Sequence, residues 1–385
     1  MIPTSVFYVD AFSFSVPMWI LIILGFIIAF LITYLGIPII FKGAVYKGLF
    51  AAPGNRTSHK NPTPVLGGVA VFTGFIIATT IIAGSDFTFE LSYLITGLFV
   101  IFIVGIKDDL MGGTAHKKFI GQVLAVTIIS VLSDIRISHL HGFLGIGNIA
   151  YMPGLLLTII VMLVIINGFN LIDGIDGLAS GSGILISFIL GIWFFNTHNT
   201  ACTVMCAALA GSLIAFFRFN VFIPEKKIFL GDTGSMTVGL VLGVLIVRFF
   251  QFEHLAKGLT VIEPAPAFAL SLFIVPVFDT LRVFSIRIAQ GKSPFEADRQ
   301  HIHHRMLELG FSHLKSTLIL LCVNLVFIIT CYLLQDLGNV ILISIQLIVA
   351  SLLSYWLVTL VKEKNNKIKA VSRIHRTKSK VTFSG

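Results

Sequence analysis

Asn167, Asn170, Asp173 and Asp176 recur at every third position of Asn167-Gly168-Phe169-Asn170-Leu171-Ile172-Asp173-Gly174-Ile175-Asp176-Gly177-Leu178. The stretch contains no Lys or Arg, so its two acids have no basic partner close by in sequence. On a helix, the i, i+3 spacing of the two amides would place both on one face. A glycine after each Asp lets the backbone turn sharply and approach a ligand closely. Hard oxygen donors in this arrangement suit Mg²⁺ bound together with a phosphate. The spacing is not that of an EF-hand, and the terminal Glu of that loop is missing.

Other clusters add complementary chemistry. Asp108 and Asp109 follow an apolar run directly, and two adjacent carboxylates at a membrane edge call for a cation nearby. Metal binding or proton abstraction would justify the pair. Asp232, in Phe229-Leu230-Gly231-Asp232-Thr233-Gly234-Ser235, is a candidate metal ligand at the start of another apolar run. Thr233 and Ser235 could there serve as simple helix caps. Arg299, His301, His303, His304 and Arg305 crowd into one short stretch that reads as an anion site. Zinc is the rival ligand, without an accompanying HExxH or CxxC. Lys60 is a candidate anion binder in a segment whose prolines and glycines a structural turn explains.

The elements that must carry these residues are apolar. Of 385 residues, 56% are hydrophobic and only 12% charged, which outweighs any reading as several soluble domains. Eleven runs have the length and character of membrane helices, at about 18–41, 65–84, 91–106, 119–133, 150–166, 181–196, 200–217, 234–250, 266–286, 316–334 and 338–361. The expectation is an all-α polytopic membrane protein of about eleven transmembrane helices. Residues 1–361 would form a single integral-membrane catalytic domain, and 362–385 a basic cytoplasmic tail. The first run is followed by Lys42 and Lys47 and preceded by no basic residue, the reverse of a signal peptide, so it reads as a retained helix.

With the N-terminus outside, every loop except those holding Arg136, Arg248 and Lys257 places its Lys and Arg in the cytoplasm. The positive-inside rule therefore puts the C-terminus, and all the polar clusters above, on the cytoplasmic face. An ion-coupled transporter, the rival from a different class, would instead hold its charges near the midplane. The tail after Val361 carries eight basic residues and one acid, enough for a topology anchor and for attraction to anionic headgroups. The net charge of +9 thus needs no nucleic acid, and no aromatic-basic RNA motif accompanies it. Cys202, Cys206, Cys322 and Cys331 all fall in apolar runs and read as buried free thiols. Without a Walker A loop or a placed GxGxxG, soluble nucleotide-binding folds are excluded.

Taken together, from Lys60 to about His313, these motifs resemble the polyprenyl-phosphate N-acetylhexosamine-1-phosphate transferases of the glycosyltransferase 4 superfamily. Ser293-Pro294-Phe295 and the His-Ile-His-His order are similar to the WecA-like branch. The peptidoglycan branch, a phospho-MurNAc-pentapeptide transferase, usually has three consecutive histidines and is the alternative within the family. The resemblance implies that a polyprenyl phosphate, undecaprenyl phosphate in a bacterium, attacks the β-phosphate of a UDP-N-acetylhexosamine, with UDP-GlcNAc the first choice. The products would be polyprenyl-diphospho-sugar and UMP, feeding an envelope glycan such as O-antigen, capsule or a teichoic-acid-like polymer.

By the same match, Asn170 and Asp232 would hold Mg²⁺, with Mn²⁺ a possible substitute. Asp108 would deprotonate or orient the acceptor phosphate, with Asp109 in support. Asp173 and Asp176 would shape the metal site and nucleotide pocket, and Gly177, Leu178 and Phe229 would frame the uracil. Arg299, His301, His303 and His304 would line the sugar-diphosphate end, and Asn167 and Lys60 would join the substrate-binding set. The expected setting is the inner membrane, spanned many times and surrounded by lipid, with a homodimer as one possible assembly.

Overall fold

The computed structural model describes residues 4–9, 12–50, 63–82, 88–253, 261–291 and 301–381. The helices are α1 (Met18–Tyr46), α2 (Gly67–Ile82), α3 (Thr88–Met111), α4 (Ala115–Leu132), α5 (Tyr151–Ile172), α6 (Leu178–Asn196) and α7 (Thr200–Phe217). They continue with α8 (Gly231–Phe252), α9 (Ala265–Leu272), α10 (Asp279–Ala289), α11 (Ile302–Glu308), α12 (His313–Leu333) and α13 (Gly338–Val381). Among the described residues, each of the eleven apolar runs falls mainly on helix, because a chain in hydrocarbon must satisfy its own backbone hydrogen bonds.

Eight of the described helices are long and apolar enough to cross a membrane, or nine if one bent pair is counted as a span. The shortfall from eleven includes α2, only 16 residues long. Among the described residues the fold is all-helical as expected, apart from one short strand pair. Thr4–Val9 (β1) and Phe12–Pro17 (β2) pair antiparallel, with Thr4 opposite Pro17 and Val9 opposite Phe12. Their residues alternate or run β-branched and aromatic, a strand pattern that an inventory of long apolar spans passes over.

The core is built on α8, which is buried without a break from Thr233 to Phe250 and packs against α5, α3 and α2. The α2–α8 crossing is closest at Gly68, where an added Cβ would lie 2.1 Å from the Gly234 nitrogen. Only a glycine permits that approach.

One expected span is broken. The stretch Ala265–Leu272 and Ile274–Ala289 bends by 79°. Pro276 lies in the π-helical turn Ile274–Phe278 and has no N–H to offer the Leu272 carbonyl four residues back. The buried Asn324 of α12 supplies the missing donor, its Nδ2 lying 3.2 Å from Leu272 O and 3.1 Å from Ser271 O. Cys202, Cys206 and Cys331 are buried as expected, but Cys322 of α12 is exposed.

Polar contacts gather at two ends. The segments after α3, α5 and α7 and the start of α11 meet at one. At the other, Gln251 Nε2 donates to Asp134 O at 2.8 Å, His141 Nδ1 lies 2.9 Å from Glu253 Oε2, and Asn339 Nδ2 donates to His141 O at 3.0 Å.

Candidate active site

Asn167 and Asn170 lie in the last turns of α5, so their spacing does put them on one helical face. Their partners differ. Asn167 Nδ2 donates to Gln122 Oε1 of α4 at 2.9 Å and to Leu163 O at 2.8 Å, which makes it an interhelical clamp. Asn170 faces the start of α8, where its Nδ2 donates to Asp232 Oδ1 and, at 2.9 Å, to Ser235 Oγ.

Between Asn170 and Asp232 sits a residue that the motif reading did not single out. Lys118 Nζ lies 3.0 Å from Asn170 Oδ1, 2.7 Å from Asp232 Oδ2 and 3.8 Å from Asp108 Oδ2. Loops separated by more than a hundred residues thus converge on one cation. The available signal was the cost of the Asp108–Asp109 pair without a neighbouring positive charge, and Lys118 meets that demand across the α3–α4 turn. Among the described residues, no three Asp, Glu, His or Cys side chains form a ready metal cage. The oxygen donors that would serve Mg²⁺, a cation usually held by one or two carboxylates together with substrate phosphates, are Asp232 and Asn170 Oδ1. The Asn170–Asp232 pair is built around a positive charge already.

The two adjacent aspartates have separate jobs. Asp109 reaches from α3 to the first turn of α8. There its Oδ1 accepts from Asp232 N at 2.8 Å, and its Oδ2 accepts from Thr233 N at 3.0 Å and Thr233 Oγ1 at 2.6 Å. It serves as the cap that α8 lacks from its own preceding residue, Leu230. Gly231 (φ 72°) makes the approach possible, since a Cβ there would lie 2.7 Å from Asp109 Oδ2 and 2.3 Å from Val65 O. Asp108 instead faces Asp232 and Lys118. A hydrogen bond to Asp232, then burial, raises the Asp108 carboxyl to about 7. Burial, then the Asp232 charge, raises Asp109 to about 6 against the pull of its three donors. Asp173, just past α5, is held well above the usual range by burial and by the charges of Asp232 and Asp109. Burial and the neighbouring Asp232 thus act together on all three carboxylates.

Asp176 stands apart from that cluster. Its Oδ2 lies 2.7 Å from Lys227 Nζ and 3.3 Å from His313 Nδ1. Beside it, Gly177 (φ 79°) donates to Asn220 Oδ1 at 2.7 Å, and Leu178 is buried at the start of α6. Phe229 pairs through its backbone with Pro64 and Gly67, at 2.8 and 2.9 Å, and lies beneath Lys227 Nζ at 5.6 Å. Lys227 and His313 were not singled out for this role. Their distance in sequence hid it.

The histidine stretch is less uniform than an open anion site. His301 Nδ1 lies 3.1 Å from Asp279 Oδ2, and Ile302 N also donates to that carboxylate at 3.1 Å. Asp279 thus anchors the start of α11. His303 is 1% exposed, and its Nε2 points at Gly174, where a Cβ would come within 2.5 Å. Burial and the neighbouring His304 lower its pKa to about 3, so it is a neutral imidazole. The His304 ring centroid is 4.2 Å from that of His303. Lys60 and Arg299 lie outside the described residues.

Residues 91–250, which hold the two aspartates, the Asn-Asp run and Asp232, match glycosyl transferase family 4. The probable undecaprenyl-phosphate N-acetylglucosaminyl 1-phosphate transferase of Bacillus subtilis is 30% identical, over 82% of this chain and 85% of its own. The decaprenyl-phosphate N-acetylglucosaminephosphotransferase of Mycolicibacterium smegmatis is 29% identical, over 80% of both chains. The undecaprenyl-phosphate alpha-N-acetylglucosaminyl 1-phosphate transferase of Salmonella typhi is 27% identical, over 74% of this chain and 76% of its own. Many membrane-length helices and a match over most of the chain agree with the motifs: this is a multi-pass membrane protein of glycosyl transferase family 4, the family of the polyprenyl-phosphate N-acetylhexosamine-1-phosphate transferases.

Proposed function

We propose that this protein transfers N-acetylglucosamine-1-phosphate from UDP-GlcNAc to a polyprenyl phosphate, undecaprenyl phosphate in a bacterial host. The observation that carries the reading is the convergence of Asp108, Asn170 and Asp232 on the Lys118 ammonium, in a chain whose relatives are described as N-acetylglucosamine-phosphate transferases. An oxygen of the acceptor phosphate forms a bond to the sugar-linked phosphorus. The bond from that phosphorus to the bridging oxygen breaks, and UMP leaves. One phosphoanhydride replaces another, so catalysis consists mainly of bringing two anions together and stabilising their charge.

Each group contributes to that task. Asp108 orients the acceptor phosphate beside Lys118, or accepts its remaining proton. Asn170 and Asp232 are the residues that would hold Mg²⁺, which when bound supplies positive charge to the donor diphosphate. Asp109 keeps the first turn of α8, and with it Asp232, in place. Gly177, Leu178 and Phe229 frame the base, while Asp176, held by Lys227 and His313, fixes the turn that carries them. Neutral His303 packs the Asp173–Asp176 turn, with the His304 ring against it. The site faces the cytoplasm at the inner membrane, where UDP-sugars are found, and its product feeds an envelope glycan.

The test is UMP release by purified protein given UDP-GlcNAc, undecaprenyl phosphate and Mg²⁺. Release that requires all three is the expected result. Silence with every UDP-hexosamine, in protein shown to be folded, would overturn the reading. Asp232→Asn should abolish release while leaving an extractable, folded protein, and retained Mg²⁺-dependent turnover in that variant would remove Asp232 from the metal site.

A further inference from the structure

We propose that Gln122 is a positioning residue for the transfer, the centre of a polar layer one helical turn below Lys118 that fixes where α4 presents the Lys118 ammonium. Three helices meet at the site, and each contributes twice. From α4 come Lys118 and Gln122, spaced i, i+4; from α5, Asn170 and Asn167, spaced i, i+3; from α8, Asp232 and Met236, spaced i, i+4. The upper members join at Lys118 Nζ, 3.0 Å from Asn170 Oδ1 and 2.7 Å from Asp232 Oδ2. The lower members join at the Gln122 amide. Its Oε1 accepts from Asn167 Nδ2 at 2.9 Å, and its Nε2 lies 3.3 Å from Met236 Sδ and 3.4 Å from Asn167 Oδ1. Gln122 and Met236 are both 0% exposed. An amide so buried is costly without partners, and here both of its ends are used.

The orientation of the two amides is set from outside the pair. Asn167 Nδ2 also donates to Leu163 O at 2.8 Å, a carbonyl that can only accept. Gln122 must then turn its oxygen toward Asn167, which sends its Nε2 to the Met236 thioether, also an acceptor only. A roll or slide of α4 would break this layer. Between the other two helices the approach is already backbone-close, since a Cβ at Gly239 of α8 would lie 2.7 Å from Ile166 Cα of α5. The placement of α4 is what Gln122 adds, and Thr114 gives that helix no side-chain cap at its start. Lys118 reaches its acceptors over a flexible four-carbon stem, so the aim of its ammonium follows the base of the stem. A shift of about 1 Å there would stretch both upper contacts past normal hydrogen-bond length. Gln122 thus acts through Lys118, from a position that substrate does not reach.

The kinetic arm of the test rests on the transferase reading, and a chemical arm stands without it. Full-length protein in nanodiscs would be compared with Gln122→Met, which removes the amide and nearly keeps the volume. Its kcat for UMP release should fall about tenfold, with the KM values for UDP-GlcNAc and undecaprenyl phosphate within about twofold of wild type. Gln122→Asn shortens the pair by one methylene and should lose kcat too, and it serves as the probe if Gln122→Met does not fold. The swap Gln122→Asn/Asn167→Gln restores the combined length and should recover kcat. In the chemical arm, brief acetylation by an N-hydroxysuccinimide ester is read by mass spectrometry at Lys118 against exposed Lys117. The Lys118 share should rise severalfold in Gln122→Met and return in the swap. Wild-type kcat in a folded single variant, or an unmoved acetylation ratio, would overturn the proposal. A swap that recovers the melting temperature but neither kcat nor the ratio would also overturn it, because the layer would then stabilise without positioning. A wild type that releases no UMP would reject the transferase reading, and the acetylation ratio alone would then decide whether Gln122 places Lys118.

Discussion

Asp108 and Asp109 are neighbours in sequence with different physical roles, and mutation should separate them. Asp109 accepts three hydrogen bonds from the first turn of α8, so Asp109→Ala strands buried donors and should cost about 1–3 kcal/mol of stability. Asp108→Ala removes no such cap and should leave the melting temperature in detergent near wild type while UMP release collapses. Equal melting temperatures for the two variants would contradict the division. His303 gives a second prediction. Its pKa is lowered from 6.5 to about 3 by burial and by His304, so the unfolded chain binds a proton that the folded chain refuses. Stability should therefore fall as pH drops below 6.5, by about 1.4 kcal/mol per pH unit. The melting temperature of His303→Gln should decline less than wild type between pH 6.5 and 4.5, and parallel curves would show that His303 titrates normally. Residue types and spacing revealed Asp108, Asn170 and Asp232 as candidates, because several carboxylates and amides in an apolar chain are costly unless used. They did not reveal Lys118, Lys227 or Asp279, each of which acts across a gap that only the packed helices close.

Among the elements, the helices were legible because runs of twenty apolar residues have few other solutions in a membrane. Their interruptions were not. The bend between α9 and α10 lies inside one unbroken apolar run, and the donor that makes it tolerable, Asn324, belongs to another helix. Asn324→Leu should keep the span apolar yet leave the Leu272 carbonyl unpaired, at a cost of about 1–3 kcal/mol read as a lowered melting temperature. The α2–α8 crossing makes a sharper test. Gly68→Ala would press a methyl group into the backbone of α8 two residues beyond Asp232. The variant should lose about 1–3 kcal/mol through overpacking and lose activity with it, since α2 moves only by pushing on the turn that carries Asp232. Wild-type stability would mean that the two helices can part without cost. The β1–β2 hairpin was missed for another reason: short alternating strands carry little signal beside spans of this hydropathy.

At the scale of the whole molecule, the two ends differ in how their charges are held. At the end bearing the candidate site, Lys107 and Lys117 stand exposed. At the other, Arg136 Nε is 2.9 Å from Asp134 Oδ1, and Arg248 pairs with Glu90, so the basic residues described there are neutralised by local partners. Orientation follows the number of Lys and Arg near span ends, whether or not acids pair with them. Among the described residues Lys and Arg are numerous only at the site end, which should therefore lie in the cytoplasm. The prediction can be tested in intact cells with a Cys322→Ser background, which removes the exposed native thiol. A cysteine introduced at Leu144, 67% exposed at the opposite end, should react with a membrane-impermeant maleimide before lysis. One introduced at Met111, 80% exposed beside the α3–α4 turn, should react only afterwards. The reverse pattern would put Asp108 and Asp232 outside the cell, away from any UDP-sugar. No arrangement of the site residues could then support the proposed transfer, so this labelling tests the mechanism as directly as it tests the topology.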